Sequence, residues 1–536
     1  MSRMFADMIL FNGKIATLDA RNSIAQAVAV SNGRIIAVGS NSEVRATGGA
    51  STRELDLEGK LLLPGFQDTH VHVGFSPTYW YGVDLKAPPV KSIREVLEKI
   101  EQKVANTRKG EWVLGYQYIN ERLAERRHVR LDELDAVAPN NPVLVIKGFG
   151  HEFLVNSKAL EIAGIRKDTP DPVGGKIERD AKTGEPTGVL YETAYSLVGR
   201  VIPADWPSFE LIKQSMRKTI DNFLEAGMTT ITEIEATREV IRAYQELLEE
   251  GRLPIRVRFF VWSELLGSLA DLGIRTGFGN DRLRLMGVKF YADGSGVCGT
   301  AAVYTPQHRG PKDLGIVATP GERLTELVTR CHEAGLRVAI HAIGDRGIDI
   351  ALDAIEYAQK IGLSKSLRHR IEHCSVCGPK QQERIKTLGV VPSSSIGYMW
   401  NFGDDYIENF GPERLEWLHP HRSYIDRGIV ASGNSDWAAS SAEPMKEIYC
   451  AVTRKTSSGQ TFCQDQAISV DEGIRVYTTN AAYASCEEQM NGSIEPGKFA
   501  DMVVLSEDIF SIPPEKIKDV SVQMTIVDGQ IVYLKK

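Results

Sequence analysis

The middle of the chain alternates short apolar segments with helical stretches, and no other feature of the sequence restricts the fold as strongly. Eight segments have the composition of buried strands: LLLPGFQDTH (61–70), TTITEIE (229–235), IRVRFFV (255–261), MGVKFYAD (286–293), LRVAIHA (336–342), RHRIEHC (368–374), GVVPSSS (389–395) and GIVASGNSD (428–436). Strands separated by helices are typical of a parallel sheet, and eight such units close a (β/α)8 barrel. The sequence therefore predicts an α/β protein built on a (β/α)8 TIM barrel.

The segments outside the barrel predict the domain organisation. Residues 1–63 and residues 485–536 each contain short strands joined by tight turns, and neither end has enough strands to bury a sheet face alone. We therefore expect both ends to form one discontinuous β-sandwich beside a barrel over residues 64–484. The gap between the first two predicted barrel strands is far longer than a helical crossover requires, which predicts a large insertion near residues 76–220.

Composition limits the partners of the chain. The 536 residues carry a net charge of −7, which gives no reason to expect nucleic acid or an anionic membrane as a partner. The seven cysteines are scattered and odd in number, and the CSVC segment (374–377) lacks the second pair of a structural zinc site. The start MSRMFADMIL does not resemble a signal peptide, and no apolar stretch reaches membrane-spanning length. We expect a cytoplasmic protein that acts on a small molecule, with a homodimer as a candidate assembly.

Side chains that can bind metals stand at the ends of five predicted strands. The first strand leads into His70 and His72, which point to the same side because side chains alternate along a strand. The carboxyl ends of barrel strands meet at one mouth, so these histidines are expected to lie near the residues that end four other strands: Lys289, Asp293, His341, His373 and Asp436. Such donors suit zinc, and also manganese or iron. Each residue alone could be structural, but together they predict a metal site.

The ordered motifs around these residues resemble a known family. DTHVH, KFYADGS, HAIGDRG, RIEH and NSDW are similar to the metal-site motifs of the amidohydrolase superfamily, and the chain most resembles the branch that includes N-substituted formamide deformylases. GHEFLVNSKAL (150–160) and GGKIERDAKTGEPTGVLYE (174–192) extend the resemblance into the predicted insertion. The resemblance implies a metal-dependent hydrolase with a TIM barrel and a sandwich formed from both ends of the chain.

The resemblance also implies which residues would bind metal. One or two divalent ions, zinc first, are the expected cofactors, together with carbon dioxide bound to Lys289 as a carbamate. Carboxylation would be needed because an ammonium group has no lone pair with which to bind a metal. The implied ligands of the first ion are His70, His72 and Asp436, those of the second are His341 and His373, and the carboxylated Lys289 would bridge the two.

The implied reaction is hydrolysis of an amide-type carbon–nitrogen bond in an N-formyl or N-acyl amine. A metal ion lowers the pKa of a bound water to about 7, so hydroxide would be the nucleophile. Asp436 would take the proton of the water and return it to the leaving nitrogen. Hydrolysis of a cyclic amide or carbamate and metal-assisted decarboxylation are the alternatives for an enzyme, and a barrel that binds a ligand without turnover is the remaining alternative.

Three further residues are predicted to contact the substrate: His151, Asp293 and Trp437. Aromatic residues in PTYWYG (77–82) and YMW (398–400) also follow predicted strands, which indicates a pocket for an apolar or aromatic substituent. The alternatives are packing under the insertion for the aromatic residues and stabilisation of a turn for His151.

Overall fold

An eight-stranded parallel sheet forms the centre of the computed structural model, which describes residues 5–147, 150–203, 207–307, 314–362 and 367–536. All eight predicted segments contribute to this sheet, so the predicted barrel is confirmed. The strands, numbered in chain order, are barrel strands 1 (Phe66–Val71), 2 (Met228–Ala236), 3 (Arg256–Trp262), 4 (Leu283–Tyr291), 5 (Arg337–Ala342), 6 (Arg370–His373), 7 (Val391–Ser394) and 8 (Ser432–Gly433).

The barrel closes between strands 8 and 1. Sheet order runs from strand 8 to strand 1, and a parallel bridge between Val71 and Trp437 joins these two ends. The backbone N–H of Asp436 also donates to the carbonyl of His70 at 3.0 Å. Closure therefore places Asp436 beside the histidines that follow strand 1.

Strand 1 is shorter than the sequence predicts. The segment LLLPGFQDTH is divided at Gly65, so Leu61–Pro64 lies in a different sheet and only Phe66–Val71 belongs to the barrel. A side chain at Gly65 would collide with Thr229, so close packing against strand 2 requires glycine there. His72 consequently lies just beyond the end of strand 1.

Helices surround the barrel and bury one face each. In Arg238–Glu249, for example, the Thr237 hydroxyl accepts from the backbone N–H of Val240 at 3.3 Å and starts the helix, while Tyr244 and Leu247 pack inward at helical spacing. The α-helices from strand 1 onward, apart from the four given below with the second sheet, are Ser76–Tyr81, Phe209–Glu225, Arg238–Glu249, Leu266–Asp271, Gly321–Glu333, Asp345–Ile361, Pro379–Leu388, Gly397–Phe410, Pro412–Leu415, His421–Asp426, Pro444–Thr453, Val470–Val476 and Thr479–Ala484. No helix in the described ranges is both long and apolar enough to span a bilayer.

The chain between barrel strands 1 and 2 forms a second, six-stranded sheet. Alternating residues face two different apolar clusters, with Val143 and Val145 in one and Leu144 and Ile146 in the other. Its strands, in sheet order, are Gly175–Arg179, Pro186–Glu192, Glu152–Val155, Val143–Lys147, Val113–Tyr118 and Val83–Asp84. Its helices are Ile93–Ala105, Leu131–Val137, Ser157–Ala163 and Ser196–Gly199.

Two further sheets are built from the ends of the chain. A six-stranded sheet combines both ends, because Leu61–Pro64 pairs antiparallel with Met502–Leu505. Residues from both sheets, including Leu10 and Val504, share one apolar cluster. The four-stranded sheet contains Arg34–Gly39, Ala27–Ser31, Met8–Phe11 and Arg53–Asp56, and Asn41–Arg45 is a short helix beside it; the six-stranded sheet contains Gln530–Leu534, Val522–Val527, Met502–Leu505, Leu61–Pro64, Lys14–Ala16 and Ile24–Ala25.

Candidate metal centre

His70 and His72 converge at the end of barrel strand 1. His70 is fully buried, and its Nδ1 donates to Oε2 of Glu372 at 2.6 Å. Because a carboxylate only accepts, the proton of His70 lies on Nδ1 and its Nε2 offers a lone pair. The Nε2 atoms of His70 and His72 are 3.3 Å apart. The prediction that both histidines point to one side is therefore confirmed by their geometry.

Asp436 faces this pair from the loop after strand 8. Its Oδ1 lies 3.1 Å from Nε2 of His72 and 3.4 Å from Nε2 of His70. Its Oδ2 accepts a hydrogen bond from the hydroxyl of Tyr398. Burial favours the neutral acid, but contact with the two histidines and Tyr398 outweighs burial and lowers the pKa of Asp436. Asp436 is therefore a carboxylate at neutral pH.

His373 presents its Nε2 to the same space. Its Nδ1 contacts Oγ of Ser395 at 2.7 Å, and that hydroxyl donates to Oδ1 of Asn434 at 2.8 Å. Since the Ser395 proton is used by Asn434, Ser395 must accept from Nδ1 of His373. The lone pair of His373 is left on Nε2.

His341 lies against His373, but its free lone pair is on Nδ1 rather than on Nε2. Its Nε2 donates to the carbonyl of Gly294 at 3.0 Å, which leaves the lone pair on Nδ1. The ring centroids of His341 and His373 are 4.5 Å apart, and those of His70 and His373 are 4.8 Å apart. Strands 1, 5 and 6 thus bring three predicted ligands together.

These donor atoms fit a metal ion. Ligand atoms of His70, His373 and Asp436 all lie within 4.8 Å of one another. Burial lowers the pKa of His70 to about 4, and burial likewise holds the pKa values of His341 and His373 well below the usual range. Neutral imidazoles with free lone pairs beside a carboxylate are the donor set that zinc and similar ions bind.

Lys289 reaches the centre from strand 4. Its Nζ is buried, makes no hydrogen bond within the described residues, and lies 4.8 Å from the centroid of the Tyr291 ring. Burial lowers the pKa of Lys289 because a charged amine without partners is poorly solvated there. Lys289 is therefore a buried amine without a hydrogen-bonding partner in the described chain.

Glu372 is a part of the site that the sequence analysis did not identify. It receives two hydrogen bonds from Arg370, at 2.8 and 2.7 Å, in addition to the bond from His70. All three side chains are buried. The RIEH motif contains Arg370 and Glu372 at alternate strand positions, so the sequence could have predicted that these two side chains share one face of the strand.

The three predicted substrate contacts lie in different surroundings. His151, in the chain between barrel strands 1 and 2, has its ring centroid 4.9 Å from that of His341, and its Nδ1 lies 2.8 Å from Oε2 of Glu192. The Asp293 carboxylate accepts three backbone N–H groups, those of Ala302, Ile343 and Gly344. The Trp437 ring packs against Tyr79 and Phe223, with ring centroids 4.9 and 5.5 Å away. His151 and Asp293 both lie against His341, with Oδ1 of Asp293 3.7 Å from Nε2 of His341, whereas the Trp437 ring packs against other aromatic rings.

A small apolar cleft opens beside His72. The described residues that line it include no acidic or basic group other than this histidine. Phe75 and Tyr79 contribute from the segment after strand 1, and Tyr116 and Ile146 from strands of the second sheet. Part of the predicted aromatic segment 77–82 therefore lines a pocket, whereas Trp437 does not line this cleft.

Comparisons with known proteins agree with this geometry. A sequence profile of the amidohydrolase family matches residues 53–533. N-substituted formamide deformylase of Arthrobacter pascens is 32% identical over 98% of this chain and 98% of its own length. The putative amidohydrolase YtcJ of Bacillus subtilis (strain 168) is 28% identical over 98% of this chain and 99% of its own length. A solved structure, an uncharacterized metal-dependent hydrolase from Pyrococcus horikoshii OT3, superposes with a TM-score of 0.77 at 26% identity, covering 95% of this chain and 99% of that one. The chain belongs to the amidohydrolase family and is a metal-dependent hydrolase.

Proposed function

We propose that the protein hydrolyses an amide-type carbon–nitrogen bond other than a peptide bond, with an N-formyl or N-acyl amine as substrate. One observation carries the proposal: ligand atoms of two buried neutral histidines, His70 and His373, and of the Asp436 carboxylate lie within 4.8 Å of one another, and the neighbouring His72 lines an apolar cleft. The similarity to the deformylase of Arthrobacter pascens supports an amide as the substrate class.

The positions of the ligands support one or two divalent ions, with zinc as the first candidate. A divalent ion held there would polarise the amide carbonyl and lower the pKa of a water molecule. Lys289, carboxylated by carbon dioxide, would supply the bridging oxygen atoms that its amine cannot provide. The first ion would be held by His70, His72 and Asp436, and the second by His341 and His373.

Asp436 is positioned for both proton transfers of the reaction. Tyr398 holds its Oδ2, so Oδ1 is directed toward His70 and His72. As a carboxylate, Asp436 can accept the proton of the attacking water and then deliver it to the amide nitrogen. Delivery of the proton accompanies cleavage of the C–N bond and releases a carboxylic acid and an amine.

The cleft supports an apolar substituent on the amine. Phe75, Tyr79, Tyr116 and Ile146 would cover such a group, and burying it would leave no charge unpaired.

We propose that residues near 76–220 act as one insertion that supplies this wall, and that residues 1–63 and 485–536 form one sandwich. A homodimer and a cytoplasmic location stay predictions from the sequence.

A substrate panel tests the proposal. Zinc-loaded protein should release free amine from N-formyl and N-acetyl amines, faster for a 2-phenylethyl than for a methyl substituent, and slowly from a charged N-formyl amino acid. Protein treated with a chelator should release none until a divalent ion is restored. If the metal-loaded protein releases amine from no member of the panel, the proposed reaction is wrong. Equal rates for methyl and phenylethyl substituents would show that the cleft does not bind the substituent of the amine.

Exchanging Glu372 for glutamine should weaken metal binding by about 10- to 100-fold. The substitution keeps the shape of the side chain but removes the charge that holds the Nδ1 proton of His70. Chelator competition measures the affinity. Glu487→Gln is the matched control, because Glu487 is also buried and bonded to arginines, Arg258 and Arg284, but contacts none of the predicted ligands. Equal affinities in the Glu372 variant and the wild type would contradict the prediction.

A further inference from the structure

Barrel strand 2 carries two glutamates that face opposite sides of the barrel wall. Glu233 accepts from the hydroxyl of Tyr244 at 2.8 Å, on the helix outside the barrel, and from the backbone N–H of Val73 at 2.9 Å. Strict alternation would place Glu235 on the same side. The pairing with strand 3 shifts register between Glu233 and Ala236, and Glu235 has a left-handed backbone with φ 67°. This irregularity turns Glu235 inward.

Inside the barrel, Glu235 lies between a tyrosine and a predicted metal ligand. The Tyr291 hydroxyl donates to its Oε1, and its Oε2 lies 3.5 Å from Nδ1 of His72. The Glu235 side chain is 10% exposed. Nδ1 of His72 is buried and makes no hydrogen bond within the described ranges. The Glu235 carboxylate can therefore accept a proton from Nδ1 of His72, the ring nitrogen that points away from the metal centre.

We propose that Glu235 is a positioning residue that selects the tautomer of His72, an inference that rests on the metal site of the proposed function. The imidazole that binds an ion is neutral and carries one proton, and a proton on Nδ1 facing Glu235 leaves the lone pair on Nε2. Nε2 lies 3.1 Å from Oδ1 of Asp436, which would otherwise attract that proton. Without Glu235, the proton moves to Nε2 and His72 no longer offers a lone pair to the ion.

Tyr291 completes the arrangement by fixing Glu235. Its ring packs against His341, with centroids 4.9 Å apart, and lies beside Nζ of Lys289. The contact holds the hydroxyl at a fixed point, so the bonded carboxylate keeps its second oxygen toward His72. His70 has an equivalent support in Glu372 and Arg370. Each histidine of the pair after strand 1 thus has its own carboxylate.

The test compares Glu235→Met, which removes the carboxylate at similar size, with Glu235→Gln, whose carbonyl oxygen can still accept from Nδ1. Chelator competition should show metal affinity reduced about 10- to 100-fold in Glu235→Met, with partial recovery in Glu235→Gln. Nitrogen NMR of the metal-free protein, recorded at a pH high enough for His72 to be neutral, should show the His72 proton on Nδ1 in the wild type and on Nε2 in Glu235→Met. Unchanged affinity, or a proton on Nε2 in the wild type, would overturn the inference.

A pair of tyrosine variants separates positioning from general loss of stability. Tyr291→Phe and Tyr244→Phe each remove one buried hydroxyl bonded to a glutamate of strand 2. Only Tyr291→Phe should weaken metal binding, by several-fold, and it carries the test if Glu235→Met does not fold. Equal affinities in the two variants would overturn the inference. Metal affinity and the position of the His72 proton are both measured without substrate. Failure to hydrolyse amides would therefore contradict the proposed reaction but not the role of Glu235.

Discussion

Asp436→Asn is expected to lower kcat by at least about 10²-fold while the protein stays folded and metal-loaded. Asparagine has the same shape and can still bond to the Tyr398 hydroxyl, but it cannot take a proton from water and return it to the leaving nitrogen. Turnover of the fastest panel substrate, together with metal content and thermal unfolding, measures the effect.

The matched variant for this experiment is Tyr398→Phe. It leaves the Asp436 carboxylate in place and removes only the bond that orients it, so kcat should fall less than in Asp436→Asn. Near wild-type turnover by fully metal-loaded Asp436→Asn would show that another group moves the proton. An equal loss in both variants would assign the effect to orientation of the carboxylate.

Much of the site could be predicted because strand ends are informative in a parallel barrel. His70, His341, His373 and Asp436 are far apart in the sequence, yet the carboxyl ends of their strands must meet at one mouth. The sequence alone therefore predicts which side chains meet. The sequence could not predict which ring nitrogen of each histidine keeps its lone pair. Hydrogen bonds decide this, and they run from His70 to Glu372, from His341 to Gly294 and from His373 to Ser395.

The roles that the sequence analysis could not assign depend on local irregularity or on long-range contacts. Glu235 faces inward only because strand 2 shifts register, and an alternating pattern places it outside. Tyr398 follows strand 7 on the helix Gly397–Phe410, and its bond to Asp436 depends on the packing of two loops. Asp293 stands at a strand end like a ligand, but loop backbone N–H groups surround its carboxylate. The position of a residue at a strand end therefore does not show whether its side chain faces the metal centre or bonds to the loop backbone.

Lys289→Ala is expected to remove most of the activity, by a factor on the order of 10², and to reduce the number of bound ions. The buried amine has no hydrogen-bonding partner in the described chain, and burial lowers its pKa. The lone pair of a neutral amine can form an N–C bond to carbon dioxide, and loss of one amine proton to solvent leaves an anionic carbamate whose oxygen atoms can bind metal. The nearby carboxylates of Glu235, Glu372 and Asp436 would repel that anion, so bound cations are needed to stabilise it.

Small carboxylates separate loss of the bridge from other damage at Lys289. Formate or acetate can enter the space vacated in Lys289→Ala and supply the missing oxygen atoms, so either should restore part of the activity and the second ion. Lys289→Met fills the same space with an uncharged chain and should not respond. Metal content and turnover at increasing acetate concentrations provide the measurement. Undiminished activity in Lys289→Ala, or equal responses of both variants, would remove Lys289 from the metal centre and leave the histidines and Asp436 as ligands of a simpler site.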